Sequence, residues 1–154
     1  MTETQPLMQG ERGLSMGVAN DRSIAWGIAK TLAAHGAELA FTYQADVLER
    51  RVKPLAESLG STLMLQCDVT DDDSLDKTFS ELEERWNSLD FIVHAIAFSD
   101  KNELTGKYLN TSRSNFSLTI LIWPVGTHLP TLFSLSGEYF FGIIVVGEVV
   151  SVAP

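Results

Sequence analysis

The residues from Gly17 to Gly27 have the types and spacing that could hold a phosphate group. Gly17 directly follows a short apolar segment, and a pattern typical of a helix begins at Ser23. Backbone N–H groups at the start of a helix attract anions, and a glycine at the preceding strand end lets a pyrophosphate approach them. The common G-x-G-x-x-G spacing is absent, so an ordinary strand-to-helix turn capped by Ser23 is an alternative.

Three further features could carry chemistry, and each has a simpler structural interpretation. Cys67 is the single cysteine, so it cannot form an internal disulfide, and we expect a small buried strand residue. His94 lies in an apolar strand pattern and is predicted to be a hydrogen-bonded core histidine. The consecutive side chains of Asp71–Asp73 do not converge on one ion, so we expect a solvated helix start and no metal site.

Strand and helix patterns alternate along residues 12–97. The predicted strands are 12–16, 38–43, 62–67 and 89–97, and the predicted helices begin at Ser23, Ala45 and about Ser74. Pro54 lies within the second helix pattern, where it could kink or split the helix, and Ser74 could cap the third. Right-handed crossovers between such strands predict an α/β fold with a doubly wound parallel sheet, whose ligands bind beyond the carboxyl ends of the strands.

Composition and charge argue against several classes of protein. Of the 154 residues, 45% are hydrophobic and 20% are charged, which supplies a core and argues against whole-chain disorder. The net charge of -9, with no cluster of Lys and Arg, argues against non-specific nucleic-acid binding. Met1–Gln9 lacks the features of a secretory signal, and no run of about 18 apolar residues could span a membrane. We therefore expect an acidic, cytoplasmic, globular protein.

Several motifs follow one another between residues 7 and 120. They are Gly17 with Ser23-Ile24-Ala25-x-Gly27, Gly36-Ala37-Glu38-Leu39-Ala40-Phe41-Thr42-Tyr43-Gln44, Cys67-Asp68-Val69, Val93-His94-Ala95-Ile96-Ala97-Phe98 and Leu104-Thr105-Gly106-Lys107-Tyr108. In this order they resemble the bacterial NADH-dependent enoyl-acyl-carrier-protein reductases of the short-chain dehydrogenase/reductase superfamily. The resemblance implies a Rossmann-like fold and reduction of trans-2-enoyl thioesters by hydride transfer in type II fatty acid biosynthesis. It also implies acyl-carrier-protein-bound substrates and complete enzymes that are homo-oligomers, expected to be tetramers.

The resemblance further implies how NADH would be bound. Gly17, Ser23 and Ile24 would hold the pyrophosphate and the neighbouring ribose. Gln44 stands where many nucleotide-binding folds keep an acid for the adenosine ribose. A neutral glutamine with no adjacent arginine suits NADH and offers nothing for a 2'-phosphate, so we expect NADH to be preferred over NADPH. A solvated amide at a strand end is the alternative for Gln44.

The remaining implied contacts involve the adenine, the nicotinamide and the substrate. Asp68 and Val69 would line the adenine pocket, although Asp68 could also be a simple turn acid before the next helix. Ile96 would contact the nicotinamide side of the cofactor. Ser99 falls where the family's backbone meets the acyl substrate, so it is the predicted substrate-binding residue.

The family's catalytic pair is missing from this sequence. In the family a tyrosine hydroxyl stabilises the enolate-like oxygen, and a lysine seven residues later binds the nicotinamide ribose. The chain has no tyrosine after Tyr139 and no lysine after Lys107, and Val146 stands seven residues past Tyr139. We therefore expect this chain to be inactive as a reductase. The alternatives are a catalytically dead nucleotide-binding or interaction module and a non-functional fragment.

The composition changes near residue 121. All charged side chains except Glu138 and Glu148 precede it, and Phe140-Phe141-Gly142-Ile143-Ile144-Val145-Val146 is apolar. We therefore divide the chain into a dinucleotide-binding portion, 1–120, and a divergent apolar tail, 121–154. The favoured interpretation is a frameshifted tail, and the family's C-terminal strands are missing. If the chain is a non-functional fragment that misfolds, an open sheet ending at the fourth strand would leave that strand with an unpaired edge. The alternative is a genuine tail that packs as a strand or hairpin.

Overall fold

The fold is a parallel sheet with helices on both faces. A computed structural model describes residues 6–97, 99–103, 110–116 and 143–145. Within these ranges the elements are β1 Arg12–Met16, α1 Ile24–Ala34, β2 Glu38–Tyr43, α2 Asp46–Ser58, β3 Met64–Gln66, α3 Asp72–Trp86, β4 Phe91–His94, a 3-10 turn Lys101–Glu103 and β5 Ile143–Val145. A further helical turn lies at 113–116. No helix in the described ranges is long and apolar enough to cross a membrane.

The strand order reverses its direction at β1 and β4. The order is β3-β2-β1-β4-β5, and every neighbouring pair is parallel. The chain moves outward through β2 and β3 and then returns to the other side of β1, which creates the switch point where such sheets bind ligands. Met16 is in register with His94, so the carboxyl ends of β1 and β4 meet there. The predicted doubly wound parallel α/β fold is confirmed.

The sheet has an apolar core on each face because successive strand side chains point to opposite sides. On one face, Leu14 and Met16 of β1 pack with the apolar stripe of α3. On the other face, Phe41 of β2 and Val93 of β4 pack with α1 and α2. Burial on both faces accounts for the nearly continuous apolar strands of the sequence. These two cores fix the positions of the strand ends that carry the candidate site.

The helix boundaries decide two expectations, that Pro54 could split the second helix and that Ser74 could cap the third. α2 runs through Pro54, so the proline does not split the helix. The expectation that Ser74 caps α3 is wrong, because α3 starts earlier and the side chain of Asp71 accepts a hydrogen bond of 3.2 Å from the N–H of Asp73. The exposed aspartates thus form the solvated helix start that was predicted. Carboxylates are favourable there because they face the positive end of the helix dipole.

The strand boundaries agree with the predicted positions, with shorter pairing in β3 and β4. A fifth strand, β5, pairs with β4 in parallel, with Ile92 opposite Ile143 and His94 opposite Val145. The expectation of an unpaired edge at β4 is therefore wrong, and β5 agrees with the alternative in which tail residues pack as a strand. The proposed boundary at residue 121 and the rest of the tail lie outside the described residues.

Candidate nucleotide-binding site

Gly17 brings the backbone after β1 against the end of β4. Its φ is 101°, in the region that favours glycine. A Cβ atom at this position would collide with the carbonyl oxygen of Ala95 and lie 2.6 Å from the carbonyl carbon of the same residue. A hydrogen bond of 3.0 Å from the N–H of Ala95 to the carbonyl of Met16 joins the two strand ends. Gly17 is therefore required by close backbone packing, and it sets the path of the loop toward α1.

The hydroxyl of Ser23 is bound within the loop that precedes α1. Ser23 is buried, and its Oγ donates a hydrogen bond of 2.7 Å to the carbonyl of Asn20. The same Oγ accepts a hydrogen bond of 3.4 Å from the N–H of Ala19. The side-chain Oδ1 of Asn20 accepts a further bond of 2.8 Å from the N–H of Arg22. These bonds fix the shape of the loop between the strand and the helix.

Ser23 does not cap α1, although it occupies the N-cap position. It makes no side-chain cap hydrogen bond, and the first turn of α1 contains no acidic residue. The alternative of an ordinary turn capped by Ser23 requires this bond, and the bond is not formed. Ile24, the first residue of α1, is 41% exposed beside the loop. The start of α1 thus presents the positive end of the helix dipole, which is the setting that phosphate groups prefer.

The ends of β2 and β3 bring Gln44 and Asp68 together. The two strands are neighbours, with Tyr43 opposite Gln66, so the residues that follow them lie side by side. The Nε2 of Gln44 donates a hydrogen bond of 3.0 Å to Oδ2 of Asp68. Gln44 is exposed, but its amide has a defined partner rather than solvent alone. This contact directs the amide donor toward Asp68.

Asp68 is stabilised in its ionised form. Hydrogen bonds from Gln44, from the N–H of Thr70 and from the hydroxyl of Thr70 lower the pKa of the Asp68 carboxyl below its usual value of 3.8. The two Thr70 bonds to Oδ1 are 2.9 Å and 2.7 Å long. Each donor interacts more strongly with a carboxylate than with a carboxylic acid. A negative charge is therefore fixed at this edge of the sheet at neutral pH.

Ser74 and the chain neighbours of Asp68 fix its position. The hydroxyl of Ser74 accepts a hydrogen bond of 2.9 Å from the N–H of Asp68, which is the role that Ser74 has instead of capping α3. Val69 is buried in the core on the α3 face. Cys67 is buried as predicted, and burial raises the pKa of its thiol. A protonated, buried thiol is a poor nucleophile, so Cys67 is a structural residue.

The segment after β4 carries the other two predicted residues. Ile96 is half-buried and packs against the core on the α3 face. His94, at the end of β4, is buried as predicted, and burial lowers the pKa of its imidazole below 6.5. The imidazole is therefore neutral at pH 7, which suits a core position.

Ser99 is connected to a residue that sequence reasoning missed. Ser99 is buried, and its Oγ accepts a hydrogen bond of 3.0 Å from Nδ2 of Asn115. Asn115 lies in the helical turn at 113–116 and is itself buried. No motif or periodicity predicted this contact, because Ser99 and Asn115 are 16 residues apart along the chain.

The structure places the predicted residues in two groups at the carboxyl ends of the strands. One group follows β1 and β4, and the other follows β2 and β3. The described part of the chain brings no three His, Cys, Asp or Glu side chains together in a way that could hold a metal ion.

A polar groove of about 450 Å³ lies at the opposite edge of the sheet. It is lined by the first residues of β1 and β2 and by the end of α3, and it includes none of the predicted site residues. Arg12 crosses it, with Nε 3.0 Å from Oε2 of Glu38 and Nη1 2.7 Å from the carbonyl of Trp86. Arg12 and Glu38 are bonded to each other across the groove, so we assign this pair a structural role.

The sequence also matches a known family. A model of the family described as Enoyl-(Acyl carrier protein) reductase matches residues 17–130. The chain is 60% identical over 120 residues to a protein of Rhizobium meliloti (strain 1021) named enoyl-acyl-carrier-protein reductase (NADH) 1. That match covers 78% of this chain and 44% of the relative, so the chain spans less than half the length of this curated relative.

Solved structures give the same result. The enoyl-acyl-carrier-protein reductase of Anaplasma phagocytophilum, crystallised in complex with NAD, is 56% identical with a TM-score of 0.69, over 73% of this chain and 44% of the relative. The enoyl-acyl carrier protein reductase of Bacillus cereus, crystallised with NADP+ and an indole naphthyridinone, is 43% identical with a TM-score of 0.69, over 73% of this chain and 45% of the relative.

Proposed function

The chain belongs to the enoyl-acyl-carrier-protein reductase family, and on this basis we propose that residues 7–120 form the NADH-binding portion of such a reductase. The observation that carries the proposal is the start of α1. Ser23 is bound within the loop instead of capping the helix, and Gly17 holds the loop against β4 at the switch point. This arrangement suits the pyrophosphate of a dinucleotide, with Ile24 beside the neighbouring ribose.

The adenosine end of the cofactor would lie beside Gln44 and Asp68. In this proposal Val69 backs the adenine pocket, and Gln44 faces the ribose. The negative charge of Asp68 beside Gln44 disfavours a 2'-phosphate, because the carboxylate would repel a second anion on a ribose bound there. We therefore propose a preference for NADH over NADPH. The Bacillus cereus relative was crystallised with NADP+, so the preference is to be measured on this chain itself.

The nicotinamide end would lie beside Ile96 and Ser99, after β4. NADH supplies a hydride for the reduction of a trans-2-enoyl thioester carried by acyl carrier protein. The chain's own residues bind and orient the cofactor in this proposal, and Ser99 lies on the side of the acyl substrate. Complete enzymes of this kind are proposed to be cytoplasmic homotetramers.

Reductase activity is not expected of the 154-residue chain alone. No lysine follows Lys107, and the residue seven positions after Tyr139 is Val146. Loss of one donor to a developing oxyanion typically lowers the rate by about 10²–10³. An assay of the purified chain with an enoyl thioester and NADH is expected to show no turnover above background. Turnover at a rate typical of enzymes, in a preparation whose mass is that of this chain, would contradict this prediction.

Cofactor binding is tested by titrating the chain with NADH in a calorimeter. Asn20→Asp retains an oxygen for the N–H of Arg22 and adds a negative charge beside the start of α1. We expect it to raise the Kd for NADH about threefold to tenfold, because the added charge repels the pyrophosphate.

Asn87→Asp is the matched control for this experiment. Asn87 is the C-cap of α3, at the opposite edge of the sheet, and its φ of 55° is also accessible to aspartate. This variant should bind NADH like the unmodified chain. Equal weakening by the two variants would place the pyrophosphate elsewhere, and no binding by the unmodified chain would favour a non-functional fragment.

A further inference from the structure

A buried amide connects the segment after β4 to the helical turn at 113–116. Asn115 is 5% exposed. Its Nδ2 donates a hydrogen bond of 3.0 Å to Oγ of Ser99, and its Oδ1 accepts one of 2.8 Å from the N–H of Asp100. One side chain therefore bonds two successive residues of this segment, through a side-chain atom of one and a backbone atom of the other.

The helical turn that carries Asn115 is itself fixed. The N–H of Asn115 donates a hydrogen bond of 3.1 Å to Oγ of Ser112. The N–H and Oγ of Ser112 donate bonds of 2.6 Å and 2.8 Å to the two carboxylate oxygens of Glu103. Bonds to a carboxylate are stronger than those between neutral groups. Asn115 is therefore attached to a rigid base, and the segment at 99–103 is bonded to that base at both ends.

We infer that Asn115 is a positioning residue for the nicotinamide half of the site, an inference that rests on the proposed NADH-binding function. A dinucleotide crosses the switch point of the sheet, so its two halves lie on either side of β1. Gln44 and Asp68 lie on the β2 side, whereas Ser99 and Asp100 lie on the β4 side. Asn115 acts on the second half alone, through the segment that it holds, and does not contact the cofactor itself.

The test compares two ligands that share the adenosine half. NADH has a nicotinamide, whereas ADP-ribose has the adenosine, the pyrophosphate and the second ribose without it. Asn115→Leu has a similar volume and removes both bonds to the segment. We expect the Kd for NADH to rise about tenfold, the change that corresponds to loss of one net hydrogen bond, and the Kd for ADP-ribose to change less than about twofold.

Asn102→Leu is the matched control, because Asn102 is exposed on the same segment. It should bind both ligands like the unmodified chain. Unchanged ADP-ribose binding by Asn115→Leu shows that the variant is folded, which separates positioning from a general loss of structure. If Asn115→Leu weakens both ligands equally, or leaves both unchanged, the positioning role is wrong.

Amide hydrogen exchange of Asp100 in the ligand-free chain gives a second readout. The N–H of Asp100 should exchange faster in Asn115→Leu than in the unmodified chain or in Asn102→Leu, because its acceptor is lost. Unchanged exchange would overturn the inference. If the unmodified chain binds neither ligand, the proposed function fails and the inference fails with it. Normal ADP-ribose binding with unchanged NADH affinity in Asn115→Leu would overturn the inference alone.

Discussion

Replacement of Gly17 by alanine should destabilise the chain far more than the same replacement at Gly10. Both glycines have positive φ, 101° at Gly17 and 86° at Gly10. An added Cβ at Gly10 meets nothing within 4 Å, whereas at Gly17 it lies 2.6 Å from the carbonyl carbon of Ala95 and closer still to its oxygen. The two variants therefore share the dihedral strain and differ in the collision.

The collision at Gly17 determines how much more stability Gly17→Ala loses than Gly10→Ala. The strain of an alanine at positive φ costs about 1 kcal/mol and is partly offset by lower entropy of the unfolded chain, so Gly10→Ala should cost at most about 1 kcal/mol. At Gly17 the ends of β1 and β4 would have to separate by about 1 Å to restore van der Waals contact. This separation breaks the hydrogen bond from Ala95 to Met16 and disturbs the packing of both strand ends. We expect a total cost of about 3 kcal/mol for Gly17→Ala.

Urea unfolding of the unmodified chain and both variants measures this difference. The free energies of unfolding in water are compared only if the three m-values agree, because a changed m-value would indicate a changed denatured state. NADH titration at a temperature where Gly17→Ala is folded then shows whether the loop retains its shape. Free energies of unfolding for the two variants within about 0.5 kcal/mol of each other would refute the argument from close packing.

Three other outcomes follow from the site and from β5. Gln44→Arg should increase the affinity for NADPH relative to that for NADH, and Asp68→Asn should do the same with a smaller effect. Titration of each variant with both cofactors measures the two affinities, and an unchanged ratio would contradict the charge argument. His94 has a depressed pKa in the folded state, so the unfolded chain binds a proton first on acidification, and the free energy of unfolding should fall with a slope of at most about 1.4 kcal/mol per pH unit below pH 6.5. His94→Gln should remove this slope and His35→Gln should not; equal slopes in all three chains would exclude His94 as its source. Deletion after Ile120 should lower the melting temperature because it removes β5 from the edge of β4, and an unchanged melting temperature would favour the interpretation of the tail as a non-structural frameshift product.

Local patterns predicted β1 to β4 well because their signals are short in range, whereas β5 was not expected. β1 and β2 have the predicted boundaries, since Gly17 and Gly36 break the apolar segments and both have positive φ in the structure. The contact between Gln44 and Asp68 was not predicted, because it depends on β2 and β3 being neighbours in the sheet. Asn115 could not be found from local patterns either. Its bonds to Ser99 and Asp100 depend on how a distant turn packs, which no periodicity in the sequence encodes.

Ser23 and Ser74 each precede a helical pattern, but neither side chain caps its helix in the structure. Serine before a helical pattern predicts an N-cap, because its oxygen can accept a bond from the first turn. Both hydroxyls instead accept bonds from backbone N–H groups of the preceding loop, Ser23 from Ala19 and Ser74 from Asp68. At α3 the side chain of Asp71, earlier in the sequence, caps the helix, and at α1 the side chain of Ser23 makes no cap hydrogen bond. Both loops lie at the carboxyl edge of the sheet, where a dinucleotide would bind. The serines therefore stabilise the loops of the proposed site instead of capping the helices that follow.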